Sequence, residues 1–226
     1  MALNKISRLI NNSEFSPKDK KELIKIFKKI SYGENDTELL RLLGIVTGKA
    51  FIGPAYFHLD VSNSCNMNCL YCWFHSKTAP DKEYSDKWKK QQIKLNIFKK
   101  LVDDLHELKT GLILFSGAGE PLTHPRIIEM VDYVKKKGII LQLFTNALLL
   151  DENHAKKFVD ANLDEIYCSI SAPNSNTYRK LHPSSRKNEF ETIEKNIMFR
   201  SKYKKKQNKT KPQIIIIEVI NSLNYS

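Results

Sequence analysis

The chain has 226 residues and a mass of 26.2 kDa, with 41% hydrophobic and 27% charged residues. That is enough for one domain with a real core, and it excludes a disordered tail, a collagenous repeat or a disulfide miniprotein. The net charge is +12, but arginine appears only at 8, 41, 126, 179, 186 and 200, so the charge reads as a lysine-rich solvated surface and nucleic acid is not expected as a partner.

No run of eighteen apolar residues is present, and Asn4, Lys5, Ser7 and Arg8 interrupt the start of the chain. A membrane span and a signal peptide are therefore not expected, and the cytoplasm is the expected compartment. Residues 1–50 read as a helical N-terminal segment ahead of a main domain over 51–226. One helix starts at Ser16-Pro17, carries Leu23, Ile26, Phe27 and Ile30 at helical spacing, and stops before Gly33. A second runs from Thr37 through Leu39, Leu40, Leu42 and Leu43 to about Val46.

Phe57–Ser62 alternates and reads as a strand, followed by a cysteine-rich loop and a polar loop over 76–87 that contains Pro80. A helix is expected over 88–109, with Ile93, Ile97, Leu101, Leu105 and Leu108 as its apolar stripe. Gly111–Ser116 is a second strand, leading into Gly117-Ala118-Gly119-Glu120-Pro121. A helix over Pro125–Lys137, a strand over Ile139–Thr145, a helix capped by Asp151, and a strand over Glu165–Ile170 follow. A helical stretch with turns fills 174–203, a basic connector covers 201–211, and Ile214–Ile220 is a fifth strand. This β-α alternation implies right-handed crossovers and a parallel sheet, with strands apolar enough for burial on both faces. Ligands in such sheets sit beyond the C-terminal strand ends. The cysteine loop, the glycine turn, Asn146 and Ser169–Ser171 all fall there.

The cysteines are Cys65, Cys69, Cys72 and Cys168, and the first three lie within eight residues as C-x3-C-x2-C. Short spacers let one loop wrap three thiolates around one small object, and soft thiolates select zinc, copper(I) or an iron–sulfur cluster. Three ligands leave a fourth position. His75 could fill it in a Cys3His zinc site, or an iron of a four-iron cluster could stay open; spacing alone leaves both standing. Cys168 lies in an apolar strand and reads as a small core residue.

Cys65, Cys69 and Cys72 after the first strand, with aromatic Tyr71 before the third cysteine and a Gly-Glu-Pro turn after the second strand, resemble the radical S-adenosylmethionine (radical SAM) enzymes. The resemblance covers about 55–220. It implies a partial (β/α)6 barrel, here with about five strands, a [4Fe-4S] cluster on the three cysteines, and S-adenosylmethionine chelated at the open iron. It further implies reductive cleavage to a 5′-deoxyadenosyl radical that abstracts hydrogen from a peptide or small-metabolite substrate. The electron would come from a reductase, a flavodoxin or a ferredoxin.

The same resemblance places Gly117, Ala118, Gly119, Glu120 and Pro121 at the methionine amino group. It puts Tyr71, Asn146 and Ser169 at the S-adenosylmethionine site, and Arg179 at the methionine carboxylate, where a guanidinium fork suits two oxygens. The chain departs from the pattern at Ala118, Ala147 and Ser171, which stand where glycine, glycine and aspartate are common. His124-Pro125 reads as a structural helix start, and Trp73 and Phe74 as walls of the loop. Glu218 faces either a cavity or solvent. A sixth strand is missing, so a longer protein, or another chain, is expected to cover the edge at Ile214–Ile220. The competing readings are a zinc module using His75 with a basic, RNA-binding surface, and an inactive fragment.

Overall fold

A computed structural model describes residues 7–8, 10–29, 36–78 and 84–225. The expected helix stop at Gly33 and part of the 76–87 loop, Pro80 included, lie outside the described residues. The contacts separate into two compact units, one within Met1–Pro54 with Glu107–Thr110, the other within Ala55–His106 with Gly111–Ser226.

In the first unit, helix α1 spans Pro17–Lys29 and α2 spans Asp36–Thr47. Pro17 opens α1 without wasting a donor, and Ser16 Oγ accepts from the Asp19 N–H at 3.2 Å. Ile10, Phe27 and Leu43 form a small separate core, with Leu23, Ile24 and Phe51 against it.

The second unit carries the elements in order: β1 (Tyr56–Asp60), α3 (Asp86–Lys89), α4 (Leu95–Glu107), β2 (Leu112–Ser116), α5 (Ile127–Lys136), β3 (Ile140–Thr145), α6 (Glu152–Asp160), β4 (Glu165–Ser169), α7 (Ser175–Leu181), α8 (Glu189–Lys206) and β5 (Gln213–Ile217). The strands form one parallel sheet in the order β1-β2-β3-β4-β5, an α/β partial barrel. Register follows sequence: Asp60 pairs with Ser116, Thr145 with Cys168 and Ser169 with Ile217, so every C-terminal strand end points to one rim. The helix-side face holds Ile113, Phe115, Leu141, Leu143, Ile166 and Cys168, packed in one core with Phe98, Val102, Met130, Val134, Phe158 and Ile193. Burying each large apolar side chain there contributes about 1.5–3 kcal/mol.

Four expectations change. Burial on both faces holds only for β2; in β3 and β4 alternate residues are half-buried, so the inner face of this open sheet is fully covered only at β2. The helix over 88–109 is two pieces, because residues 91–93 run alongside the end of β1. There Asn63 N–H donates to Gln91 O at 2.9 Å and Ile93 N–H to Val61 O at 3.1 Å. Its buried stripe is Phe98, Val102 and Leu105, while Ile97 and Leu108 are 54% and 47% exposed. The basic run after Ser201 is no connector as far as Lys206. It continues α8, since lysine is a good helix former and its charge suits a helix C-terminus. The fifth strand ends at Ile217, and the Val219 N–H turns to Ser171 Oγ at 2.9 Å.

At the N-terminal strand ends, Asp164 is 6% exposed and accepts from Lys211 Nζ at 2.6 Å, from the Leu141 N–H at 2.9 Å and from Lys135 Nζ. Burial pushes this carboxyl up, but the Lys135, Lys211 and Leu141 donors outweigh it and hold the group below its ordinary value.

Candidate functional site

The cysteine loop leaves β1 at the C-terminal rim with almost no regular structure of its own, so its shape is imposed by neighbours. Cys65, Cys69 and Cys72 are free thiols, each partly exposed. Burial pushes Cys65 up to about 12 and Cys69 up to about 11, and the neighbouring thiols push further in the same direction. All three stand on this one short loop at the C-terminal rim. The Cys72 sulfur accepts from the His75 N–H at 3.3 Å.

A single zinc ion with sulfur ligands at about 2.3 Å needs a tight tetrahedron. Among the described residues no three His, Cys, Asp or Glu side chains converge closely enough to grip one ion. A four-iron cube is a wider object and takes thiolates set further apart. Three soft, unbridged, half-exposed thiols on one loop suit that group. His75, the fourth ligand of the zinc reading, instead donates from Nε2 to Asn63 O at 3.0 Å and lies against the Ala118 backbone.

The glycine turn clamps the loop from one side. A Cβ on Gly119 would lie 2.3 Å from Ser64 O, 2.5 Å from Asn63 C and 2.6 Å from Ser62 O, so only glycine lets the turn meet the loop backbone. Gly117 has φ +124° and would meet Asp60 Oδ1 at 2.1 Å. The Glu120 N–H donates to Ser64 O at 2.8 Å, and Thr123 Oγ1 donates to Ser64 O at 3.1 Å. Ala118 and Pro121 are buried.

Glu120 is not presented as the resemblance implies. Its side chain is 3% exposed, and its carboxylate accepts from Leu122 N–H at 3.0 Å, Thr145 Oγ1 at 2.7 Å and Asn146 N–H at 2.7 Å. Both oxygens are spent bracing the turn against the end of β3, so the turn offers backbone to a ligand. Burial raises this carboxyl above its ordinary value even though all three donors pull it down. Asn146 caps its own turn, its Oδ1 accepting from Leu148 N–H at 3.1 Å, and its Nδ2 reaches the cysteine loop at Asn66 Oδ1, 2.8 Å away.

Helix α7 clamps the loop from the other side. The Leu70 N–H donates to Leu181 O at 2.9 Å, the Ser184 N–H to Asn68 Oδ1 at 3.0 Å, and Tyr178 Oη to Met67 Sδ at 3.5 Å. Tyr71 lies among Cys69, Ser169 and Ser171, and burial pushes its phenol up to about 12. Its hydroxyl is 3.3 Å from His182 Nε2. Ser171, at φ +53°, holds the tail: its carbonyl accepts from Asn224 Nδ2 at 2.9 Å.

Arg179 stands on the exposed side of α7, and its guanidinium donates to Asn176 Oδ1 at 2.7 Å within its own helix. Glu218 is exposed beyond β5. Cys168 is fully buried and stays in the core. His124 is structural: Nδ1 accepts from Arg126 N–H at 3.1 Å, and Nε2 donates to Ile93 O at 3.0 Å. Trp73 is 57% exposed, while Phe74 stacks on Trp88 and meets Tyr84 at a tilt. The buttress formed by Tyr178 and His182 is absent from the motif reading, although their four-residue spacing places both on one helix face.

The family model described as the Radical SAM superfamily matches residues 59–217. Among curated proteins, the tungsten-containing aldehyde ferredoxin oxidoreductase cofactor-modifying protein of Pyrococcus furiosus is 30% identical over 51% of this chain and 30% of its own length. A probable GTP 3′,8-cyclase of Methanococcus maripaludis is 31% identical over 55% of this chain and 39% of its own length. The chain thus spans well under half the length of these relatives. Among solved structures, SuiB of Streptococcus suis bound to its precursor peptide SuiA shares the fold at a TM-score of 0.54 and 16% identity, covering 91% of this chain and 46% of that one.

Proposed function

The chain belongs to the Radical SAM superfamily, and from that premise we propose that Cys65, Cys69 and Cys72 hold a [4Fe-4S] cluster for hydrogen abstraction from a peptide or small metabolite. Members of the superfamily bind such a cluster together with S-adenosylmethionine. When bound, the cluster would supply the electron that cleaves S-adenosylmethionine to a 5′-deoxyadenosyl radical.

The observation that carries this reading is a loop with three unbridged thiols and a glycine turn packed against that loop's backbone at one rim of a parallel sheet. The loop positions the sulfurs. The backbone of Gly117–Pro121 lines the place for the methionine amino group, and Asn146, Ser169 and Tyr71 line the remainder. Glu120 acts by holding that backbone in place, and Arg179, exposed on α7 and bound to Asn176, is not assigned to the site. The core domain is assigned within 51–226, its compact unit beginning at Ala55. The electron would be delivered by a reductase, flavodoxin or ferredoxin. A peptide or small metabolite as substrate is supported by the shared fold with peptide-bound SuiB and by the likeness to a probable GTP 3′,8-cyclase.

Anaerobic reconstitution with iron and sulfide, then dithionite and S-adenosylmethionine, tests the proposal. Wild type should take up iron and sulfide and release 5′-deoxyadenosine; Cys65→Ala, Cys69→Ala and Cys72→Ala should do neither. Zinc uptake without labile sulfide would replace this reading with the zinc module. A cluster without deoxyadenosine would limit the chain to cofactor binding. Because three thiols must lose protons to bind iron, and two are pushed to about 12 and about 11, uptake should slow as pH falls.

A further inference from the structure

We infer that His182 is a positioning residue that keeps the Tyr71 hydroxyl proton away from Cys69. Two hydrogen bonds fix the roles. His182 Nδ1 lies 2.8 Å from Tyr178 O, and a carbonyl can only accept, so Nδ1 carries the proton. In the neutral ring Nε2 is then a lone pair, and the Tyr71 hydroxyl 3.3 Å away is its donor. The imidazole is 1% exposed, so no bulk water competes for that lone pair. Its orientation is held on both sides: it stacks on Tyr178 at 4.1 Å and 25°, and meets Tyr71 edge-on at 6.0 Å and 81°. Tyr178 is anchored in turn through Met67, and Leu70 through Leu181, so α7 and the cysteine loop are tied at two points.

A phenol has one proton to give. Tyr71 is placed to give it to Cys69 as well as to His182, while Ser169 and Ser171 face the phenol oxygen as donors. Hydrogen bonds to cluster sulfurs help set the reduction potential. A donor to a ligating thiolate stabilises the extra negative charge of the reduced state and makes reduction easier. A proton committed to His182 leaves that stabilisation out, and the cluster stays a stronger reductant. This role rests on the cluster assignment above, while the hydrogen-bond geometry behind it does not.

The test is a cycle of His182→Phe, Tyr71→Phe and the double variant, read as the cluster's midpoint potential and reduced-state EPR spectrum at equal iron content. His182→Phe keeps a stacked ring and removes the acceptor. It should raise the potential, Tyr71→Phe should stay near wild type, and the double variant should match Tyr71→Phe. His182→Gln, whose amide can present an acceptor, should restore the wild-type potential. An unchanged potential in His182→Phe, or an equal rise in the Tyr71→Phe background, overturns the inference. His182→Leu serves the same purpose if the phenylalanine variant does not fold. In the cluster-free chain, imidazole 15N resonances should show the His182 proton on Nδ1 and an Nε2 signal that moves in Tyr71→Phe. A proton on Nε2 overturns the inference whatever the cluster does. Failure of wild type to assemble a cluster, with this 15N pattern intact, overturns the functional reading instead.

Discussion

The two ends of the same sheet are built on opposite rules. At the N-terminal end, Asp164 is buried but meets Lys135, Lys211 and a backbone N–H, and its charge is cancelled within the chain. At the C-terminal rim, Glu120 is buried with three neutral donors and no cation in ion-pair reach among the described residues. For Cys65 and Cys69 beside it, burial and the Glu120 charge both work against the thiolate. Paired charge at one end contributes stability. Unpaired polar chemistry at the other is tolerable where a ligand is to be bound, and it leaves that rim dependent on close backbone fit.

Beyond the cysteine variants, the largest expected effect comes from closing that fit. Gly119→Ala would force a Cβ into the backbone of Ser62–Ser64, which no side-chain rotation relieves. A loss of about 3 kcal/mol in urea unfolding is expected, with iron uptake falling as the loop is displaced. Stability and uptake both near wild type would show that the rim gives way easily and would blunt the contrast.

Asp164→Asn comes next. It leaves Lys135 unpaired with its side chain 14% exposed, and should cost about 3 kcal/mol at neutral pH. The folded carboxyl is held below its unfolded value, so its contribution is present above that unfolded value, about 3.9. It is lost as pH falls through the lower folded one. The gap between variant and wild type should therefore shrink in acid, and iron bound per folded chain should not change. Lost uptake would mean that the two ends are coupled.

Glu120→Gln carries the opposite sign. The folded pKa is raised, so the native state holds its proton more tightly, and wild-type stability should decline as pH rises from the ordinary carboxylate value through the folded one. Glutamine should flatten that slope, while its amide, with a single accepting oxygen, costs about 2 kcal/mol against three donors. Urea midpoints across pH would reveal a slope of the wrong sign. The smallest effect belongs to Arg179→Ala: S-adenosylmethionine affinity should stay within about twofold, less than 0.5 kcal/mol. A tenfold loss would return Arg179 to the carboxylate role that the resemblance gives it.

Much of this is legible in the sequence alone. The β-α alternation, the Asp151 cap and the cysteine and glycine motifs are local patterns, and helices, strands and loops respond to local patterns. The misplaced pieces are those where tertiary contact overrode a local preference. Ser62 and the backbone at Asn63 pulled 91–92 out of a helix, and the alternate residues of β3 and β4 lost cover on the inner face.

By itself the sequence determined which residues could bind soft metal, the order in which strands reach the rim, and the family to which they belong. Only the tertiary structure decided what each motif residue does. Glu120 reads as a ligand contact by resemblance and is a brace in space, because its oxygens meet donors from the turn and from the end of β3. Arg179 stays on the surface of its own helix, while His182, three residues on, faces inward to Tyr71. Spacing along a chain fixes which side chains share a face. Which face is pressed against the loop depends on contacts made more than a hundred residues apart, and no local pattern records them.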